Sequence, residues 1–157
     1  MHPRIDITKY LGSGLGRAML QLSHEAQTKM DKTLFELVKI RASQINLCAY
    51  CLDMHTKEAR HAGETEQRLY ALSAWRETPF YTDRERAALE WTEAVTMISR
   101  DQAPDLVYER TRQFFSEAEF AALTMAVVMI NNWNRIAISF RAVPGSYQPG
   151  SVKTRSA

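Results

Sequence analysis

Three residues of this chain have types and spacing suited to chemistry: Cys48, Cys51 and His55. On a helix they stand three and four apart, so their side chains share one face. A cysteine at a helix start meets unpaired backbone N–H groups and the positive end of the helix dipole, and both favour thiolate. The i,i+4 relation sets His55 beside Cys51, where an imidazole can accept a thiol proton. One helical turn also brings two cysteines into disulfide range. A nucleophile, a base and a resolving thiol complete a cycle for two-electron reduction of a substrate. On dipole grounds Cys48 is the lower-pKa thiol; proximity to the base favours Cys51.

Other chemistries fit these residues less well. Cys48, Cys51 and His55 supply three zinc ligands, but a structural tetrahedral site needs a fourth. His61 lies six residues beyond His55 at a different helical angle, and there is no second CxxC. Two inert buried cysteines beside a core histidine form the remaining alternative, since the spacing is easily met by chance. His2 and His24 read as surface residues. Glu36 precedes Cys48 by about three turns, roughly 18 Å along a straight helix at 1.5 Å per residue, so only a tight helix–turn–helix return brings it to His55.

The elements that must position these groups read almost entirely as helix. Leu15, Ala18, Met19, Leu22 and Ala26 recur at helical spacing, and Asp31 suits the N-cap of a helix through Leu34, Leu37, Val38 and Ile45. A third helix covers 49–62 with Gly63 as its stop. A short fourth spans Leu69 to Trp75 and closes before Pro79. Capping boxes at Thr82–Glu85 and Ser116–Glu119 open two more, the first through Leu89, Trp91, Val95 and Ile98, the second through Leu123, Val127 and Ile130 to about Phe140. Between them Pro104 suits the first turn of a helix running to Phe115. No stretch alternates at period two between turn signals, so no sheet is expected. The expectation is one all-α domain over 1–157, a compact bundle of about six or seven helices, with 141–157 an extended or disordered tail rich in Pro and Gly. The stretch 121–130 is apolar nearly all round, so it must be buried on every side, at the bundle centre or under another subunit. An oligomer is the preferred expectation.

The bulk composition narrows the class of function. Apolar residues are 45% and charged residues 24%, as in ordinary globular proteins. A net charge of +2, with basic residues scattered among acids, argues against a nucleic-acid partner. The N-terminus has no apolar h-region, and the most apolar stretch is about half the ~20 residues of a membrane span, so a cytoplasmic location is expected. In that reducing compartment a lone close cysteine pair is more often catalytic or metal-binding than structural.

The stretch from Glu36 through Arg41, Ser43, Gln44, Asn46, Cys48, Tyr50, Cys51 and Asp53 to His55 resembles the alkylhydroperoxidase D-like, carboxymuconolactone decarboxylase family. Its redox branch carries Glu, eleven residues, CxxC, three residues, then His; Glu36, Cys48, Cys51 and His55 match. The similarity continues at Ala74-Trp75-Arg76-Glu77, at Glu85–Leu89 and at Asn132-Trp133-Asn134-Arg135, and so covers about residues 30–140. The resemblance implies an all-helical subunit that forms trimers or hexamers and acts as a thiol-dependent peroxidase in antioxidant defence. In that scheme Cys51 attacks a hydroperoxide, Cys48 resolves the sulfenic acid to a disulfide, and Glu36 with His55 forms a proton relay. The need to remove the proton beside the attacking sulfur agrees with that role for Cys51. A dihydrolipoamide-bearing protein or other dithiol re-reduces the disulfide, some members pass electrons to a peroxiredoxin, and no flavin, haem or metal is required. Tyr50 is a departure, standing where some members have a second histidine. Tyrosine, with a pKa near ~10, is a poor base but still donates a hydrogen bond, so the relay is expected to run through His55 and a water, with weak peroxidase turnover. The family's other branch suggests lactone decarboxylation as an alternative, which needs no dithiol; a non-enzymatic redox-sensing oligomer is the second. Tyr50, Trp75 and Trp133 are candidate pocket walls, with ordinary core packing as the default.

Overall fold

The computed structural model describes residues 2–150. Among them the chain forms eight α-helices and no strand: α1 (Gly14–Thr28), α2 (Lys32–Ile45), α3 (Ala49–His61), α4 (Glu66–Ala71), α5 (Asp83–Thr96), α6 (Ile98–Asp101), α7 (Asp105–Arg112) and α8 (Glu117–Phe140). Two 3₁₀ turns, Ile7–Tyr10 and Leu72–Glu77, complete the set. The expected starts are formed by the expected residues. Asp31 accepts the Leu34 N–H at 2.9 Å, and both capping boxes are closed in each direction. Gly63, at φ +98°, ends α3 in the left-handed conformation that glycine adopts without strain. Several boundaries differ from the sequence reading: the short fourth helix, expected from Leu69 to Trp75, starts at Glu66 behind Thr65 and passes into the 3₁₀ turn at Leu72, and α7 ends at Arg112 rather than Phe115. Pro104 stands at the N-cap of α7 rather than within its first turn, and the helix begun at Thr82 breaks at Met97, so Ile98 belongs to α6.

The core gathers around α2, where seven consecutive residues from Leu34 to Ile40 are buried. Leu34 and Val38 meet Trp91, Phe120 and Leu123; Leu37 and Ile40 meet Leu72, Trp75 and Leu89; Phe35 meets Ala126, Met129 and Ile130. Neighbours on every side require apolar side chains on every side of α2, except where two charges satisfy each other. The apolar stretch of α8 behaves otherwise. Leu123, Ala126, Val127 and Ile130 are buried, while Met125 and Val128 stay 46% and 37% exposed. The helix enclosed within one subunit is therefore α2, and α8 keeps an open face.

Residues 141–150 have no helix but are fixed to α3. Asp53 Oδ2 accepts the Gly145 N–H at 3.0 Å, and Lys57 Nζ donates to the Tyr147 carbonyl at 3.1 Å. This part of the expected tail is packed; its remainder, 151–157, lies outside the described residues.

Candidate active site

Only Asn46, Leu47 and Cys48 separate α2 from α3. The turn closes α2 with paired hydrogen bonds, Leu47 N–H to the Gln44 carbonyl at 3.2 Å and Cys48 N–H to the Ser43 carbonyl at 3.0 Å. The residue between is left-handed and normally glycine, yet here it is Leu47 at φ +56°. Asn46 anchors the turn to α8, donating to Asn131 Oδ1 at 2.9 Å and Asn134 Oδ1 at 2.8 Å. Asn134 in turn donates to Ser43 Oγ at 3.0 Å. Two helices, α2 and α8, thus fix the start of α3.

This tight return brings Glu36 back to His55. Glu36 Oε2 lies 3.4 Å from His55 Nδ1, and neither atom has another hydrogen-bond partner. The other carboxylate oxygen, Oε1, takes Lys39 Nζ at 2.7 Å. All three side chains are buried. Burial works to raise the Glu36 carboxyl, but the His55 hydrogen bond and the Lys39 charge outweigh it and hold the carboxyl below its usual range. Burial also lowers the Lys39 ammonium, with Glu36 opposing. For His55, burial and then the Lys39 charge depress the imidazole to about 4, despite Glu36. The ring is therefore neutral at pH 7, with Nδ1–H turned to Glu36 and Nε2 left as the basic nitrogen.

Cys48 and Cys51 are free thiols, both buried. Cys48 is the N-cap of α3, and its Sγ accepts the Cys51 N–H at 3.4 Å. The hydrogen bond from the Cys51 thiol, helped by backbone N–H groups and the Asn134 amide, lowers Cys48 to about 7 against its own desolvation. That same hydrogen bond, with burial, pushes Cys51 upward. The dithiol thus ionises first at Cys48, while Cys51 keeps its proton one helical turn from His55.

A cavity of about 300 Å³ opens beside Cys48, lined by Leu47, Ala49, Tyr50, Ala137, Ile138, Arg141, Ala142 and Pro144. Cys51 is not on its wall. Burial and the nearby thiol and carboxylate charges raise Tyr50, so its hydroxyl is a donor rather than a base. Trp75 and Trp133 do not reach the cavity. Trp75 donates to Glu93 at 2.8 Å and packs in the core; Trp133 donates to Ser23 at 2.9 Å on α1. Among the described residues no three His, Cys, Asp or Glu side chains converge to hold a metal ion. The four sequence-predicted residues fall into two pairs, Glu36 with His55 and Cys48 with Cys51, joined through α3. Lys39, Asn134 and Arg141 were not foreseen. Lys39 left one trace, its i,i+3 spacing from Glu36, which on a helix is an ion-pair distance.

A family model for the carboxymuconolactone decarboxylase family matches residues 14–94, more than half of the chain and the whole of α1 to α3. The chain belongs to this family. Within it, the uncharacterized protein YdfG of Bacillus subtilis is 42% identical over 139 residues, covering 88% of this chain and 95% of its own. A crystal structure from Agrobacterium tumefaciens, a protein of unknown function tied by name to the antioxidant defence protein AhpD, superposes with a TM-score of 0.88 at 41% identity. It covers 93% of this chain and all of its own. An uncharacterized peroxidase-related protein from Silicibacter sp. TM1040 shares the fold, with a TM-score of 0.78 at 20% identity over 93% of this chain and 78% of its own. Family and fold therefore agree with the resemblance read from the sequence.

Proposed function

We propose that the protein is a thiol-dependent alkyl hydroperoxidase, acting in antioxidant defence as a peroxidase or disulfide reductase with Cys48 and Cys51 as its redox couple. One observation carries this reading: the Cys48 thiol caps the start of α3 and accepts the Cys51 N–H, and one turn beyond Cys51 stands His55, its Nδ1 3.4 Å from the Glu36 carboxylate. Such a group supplies in order a nucleophile, a resolving thiol and a base. Glu36 fixes the imidazole tautomer, and His55 takes the proton of Cys51. The dithiol is regenerated by an external dithiol, a dihydrolipoamide-bearing or peroxiredoxin-type partner being the class the family resemblance supplies. A cytoplasmic setting, where thiols stay reduced, suits this cycle.

The two cysteines admit two orders of action. The family resemblance gives attack to Cys51 and resolution to Cys48, whereas the helix start and the cavity favour attack by Cys48.

Titrating the reduced protein with an organic hydroperoxide, counting free thiols, then adding dihydrolipoamide tests the reading. Loss of both thiols followed by multiple turnovers supports it. Thiols that survive excess peroxide overturn it, and oxidation without turnover would indicate a redox-sensing oligomer.

A further inference from the structure

Cys48 and Cys51 are 1% and 2% exposed, although a redox couple must exchange bonds with other molecules. Part of what covers them is not helix. Beyond Arg141 the chain runs on to α3, where Ala142 packs against the cluster of Cys48, Cys51 and Ala137, and Pro144 lines the cavity beside Cys48. Two residues one turn apart on α3 hold this segment. Asp53 Oδ2 accepts the Gly145 N–H at 3.0 Å, and Lys57 Nζ donates to the Gly145 and Tyr147 carbonyls at 3.4 and 3.1 Å. The two side chains also pair with each other at 2.8 Å. The Lys57 hydrogen bond outweighs burial and, with the Gly145 N–H, holds the Asp53 carboxyl below its usual range, so the pair stays charged on the Asp53 side. No residue of 141–150 is buried, so apolar packing adds little to these contacts. Segments held by a few part-exposed polar contacts open far more readily than the fold unfolds.

We propose, resting on the reading of Cys48 and Cys51 as a redox couple, that residues 142–147 form a strap that gates the dithiol by size, with Asp53 and Lys57 as its latch. A small oxidant enters through the cavity, of about 300 Å³, while the strap stays down. Re-reduction asks for more room. A thiolate of an external dithiol attacks one sulfur of the Cys48–Cys51 disulfide, the S–S bond breaks and a mixed disulfide forms. The partner's second thiol then displaces the protein sulfur, so two electrons and two protons pass to the protein and the partner leaves as its disulfide. The attacking sulfur brings the rest of its molecule to within a bond length of a buried sulfur, and that room arises when the strap lifts from α3. Arg141 is the hinge. It is left-handed at φ +54°, where helices close on glycine, and the Ala142 N–H beyond it bonds the Ala137 carbonyl at 2.9 Å. Opening gives up that bond but relaxes a backbone conformation that a residue with a side chain adopts at a cost.

The test compares two neutral thiol reagents on the reduced protein, the small methyl methanethiosulfonate and the bulkier dithiodipyridine, in the native chain and in two loosened variants. Asp53→Asn combined with Lys57→Met removes the latch from α3 without changing the net charge. Gly145→Pro works from the other side and leaves α3 intact, since proline lacks the N–H that Asp53 accepts and cannot hold φ +107°. In both variants dithiodipyridine is expected to react about tenfold faster, while the methyl reagent changes less than about twofold. Unchanged dithiodipyridine rates overturn the strap. An equal gain for both reagents overturns it too, because altered thiol acidity or general loosening does not discriminate by size. Neither reagent depends on peroxide chemistry. Thiols that show the expected size-dependent gain yet survive excess hydroperoxide would therefore sink the peroxidase reading and leave the strap standing.

Discussion

A buried carboxylate shared between a lysine and an imidazole decides the state of the site. Burial, and then the Lys39 charge beside Glu36, keep His55 neutral, so it remains a base at pH 7. Two consequences can be measured. With Cys48 lowered to about 7, thiol oxidation by hydrogen peroxide should rise with pH and level off above an apparent pKa near 7. A rise only above pH 9, followed by stopped-flow thiol loss, would place attack on Cys51. Stability has the opposite origin. His55 titrates at about 4 when folded against about 6.5 unfolded, so its contribution is complete above 6.5 and is lost as pH falls through 4. The unfolding free energy from urea titrations should fall over that window, by on the order of 3 kcal/mol, and His55→Gln should flatten the slope.

At the scale of elements, the short return between α2 and α3 does what no single residue could. Spacing alone placed Cys48, Cys51 and His55 on one face, because three residues of one helix obey one geometry. Glu36 lies on another helix, and its arrival depends on the three-residue turn and on Asn46 tying that turn to α8. Asn46→Ala should leave the Asn134 carbonyl oxygen unpaired in the core and cost about 1–3 kcal/mol in urea unfolding. Helix starts were legible because caps are local: Asp31, Thr82 and Ser116 each bond within their own first turn. The break at Met97 was not, since apolar periodicity runs through it to Ile98. Nor was the centrality of α2, whose charged Glu36 and Lys39 disguise a helix buried all round. The cavity was hidden for a similar reason: its wall joins the ends of α2 and α8 to a segment whose Pro and Gly content reads as tail.

Across the whole molecule, the open side of α8 is the largest matter one subunit leaves unsettled. Met125, Val128 and Ile138 are exposed along it, and α1, packed beside α8, exposes Leu15 and Leu20. Covering such side chains with a second copy stabilises by about 25 cal/mol per Å² of apolar surface. Light scattering on a sizing column should therefore give a mass of several subunits, a trimer or hexamer by the family resemblance, and Val128→Glu with Met125→Glu should shift it towards the 18.0 kDa chain. A monomeric wild type at micromolar concentration would refute this. No helix among the described residues is long and apolar enough to cross a membrane.

The left-handed residues at the ends of α2 and α8 bear on how such a protein can diversify. A glycine at position 47 or 141 would relax the backbone, so the fold itself has no use for the side chains there. Both positions line the cavity beside Cys48, and neither belongs to the buried core that packs the helices. The ends of α2 and α8 thus leave two positions at which a chain of this fold can vary its side chains without passing through an unstable intermediate.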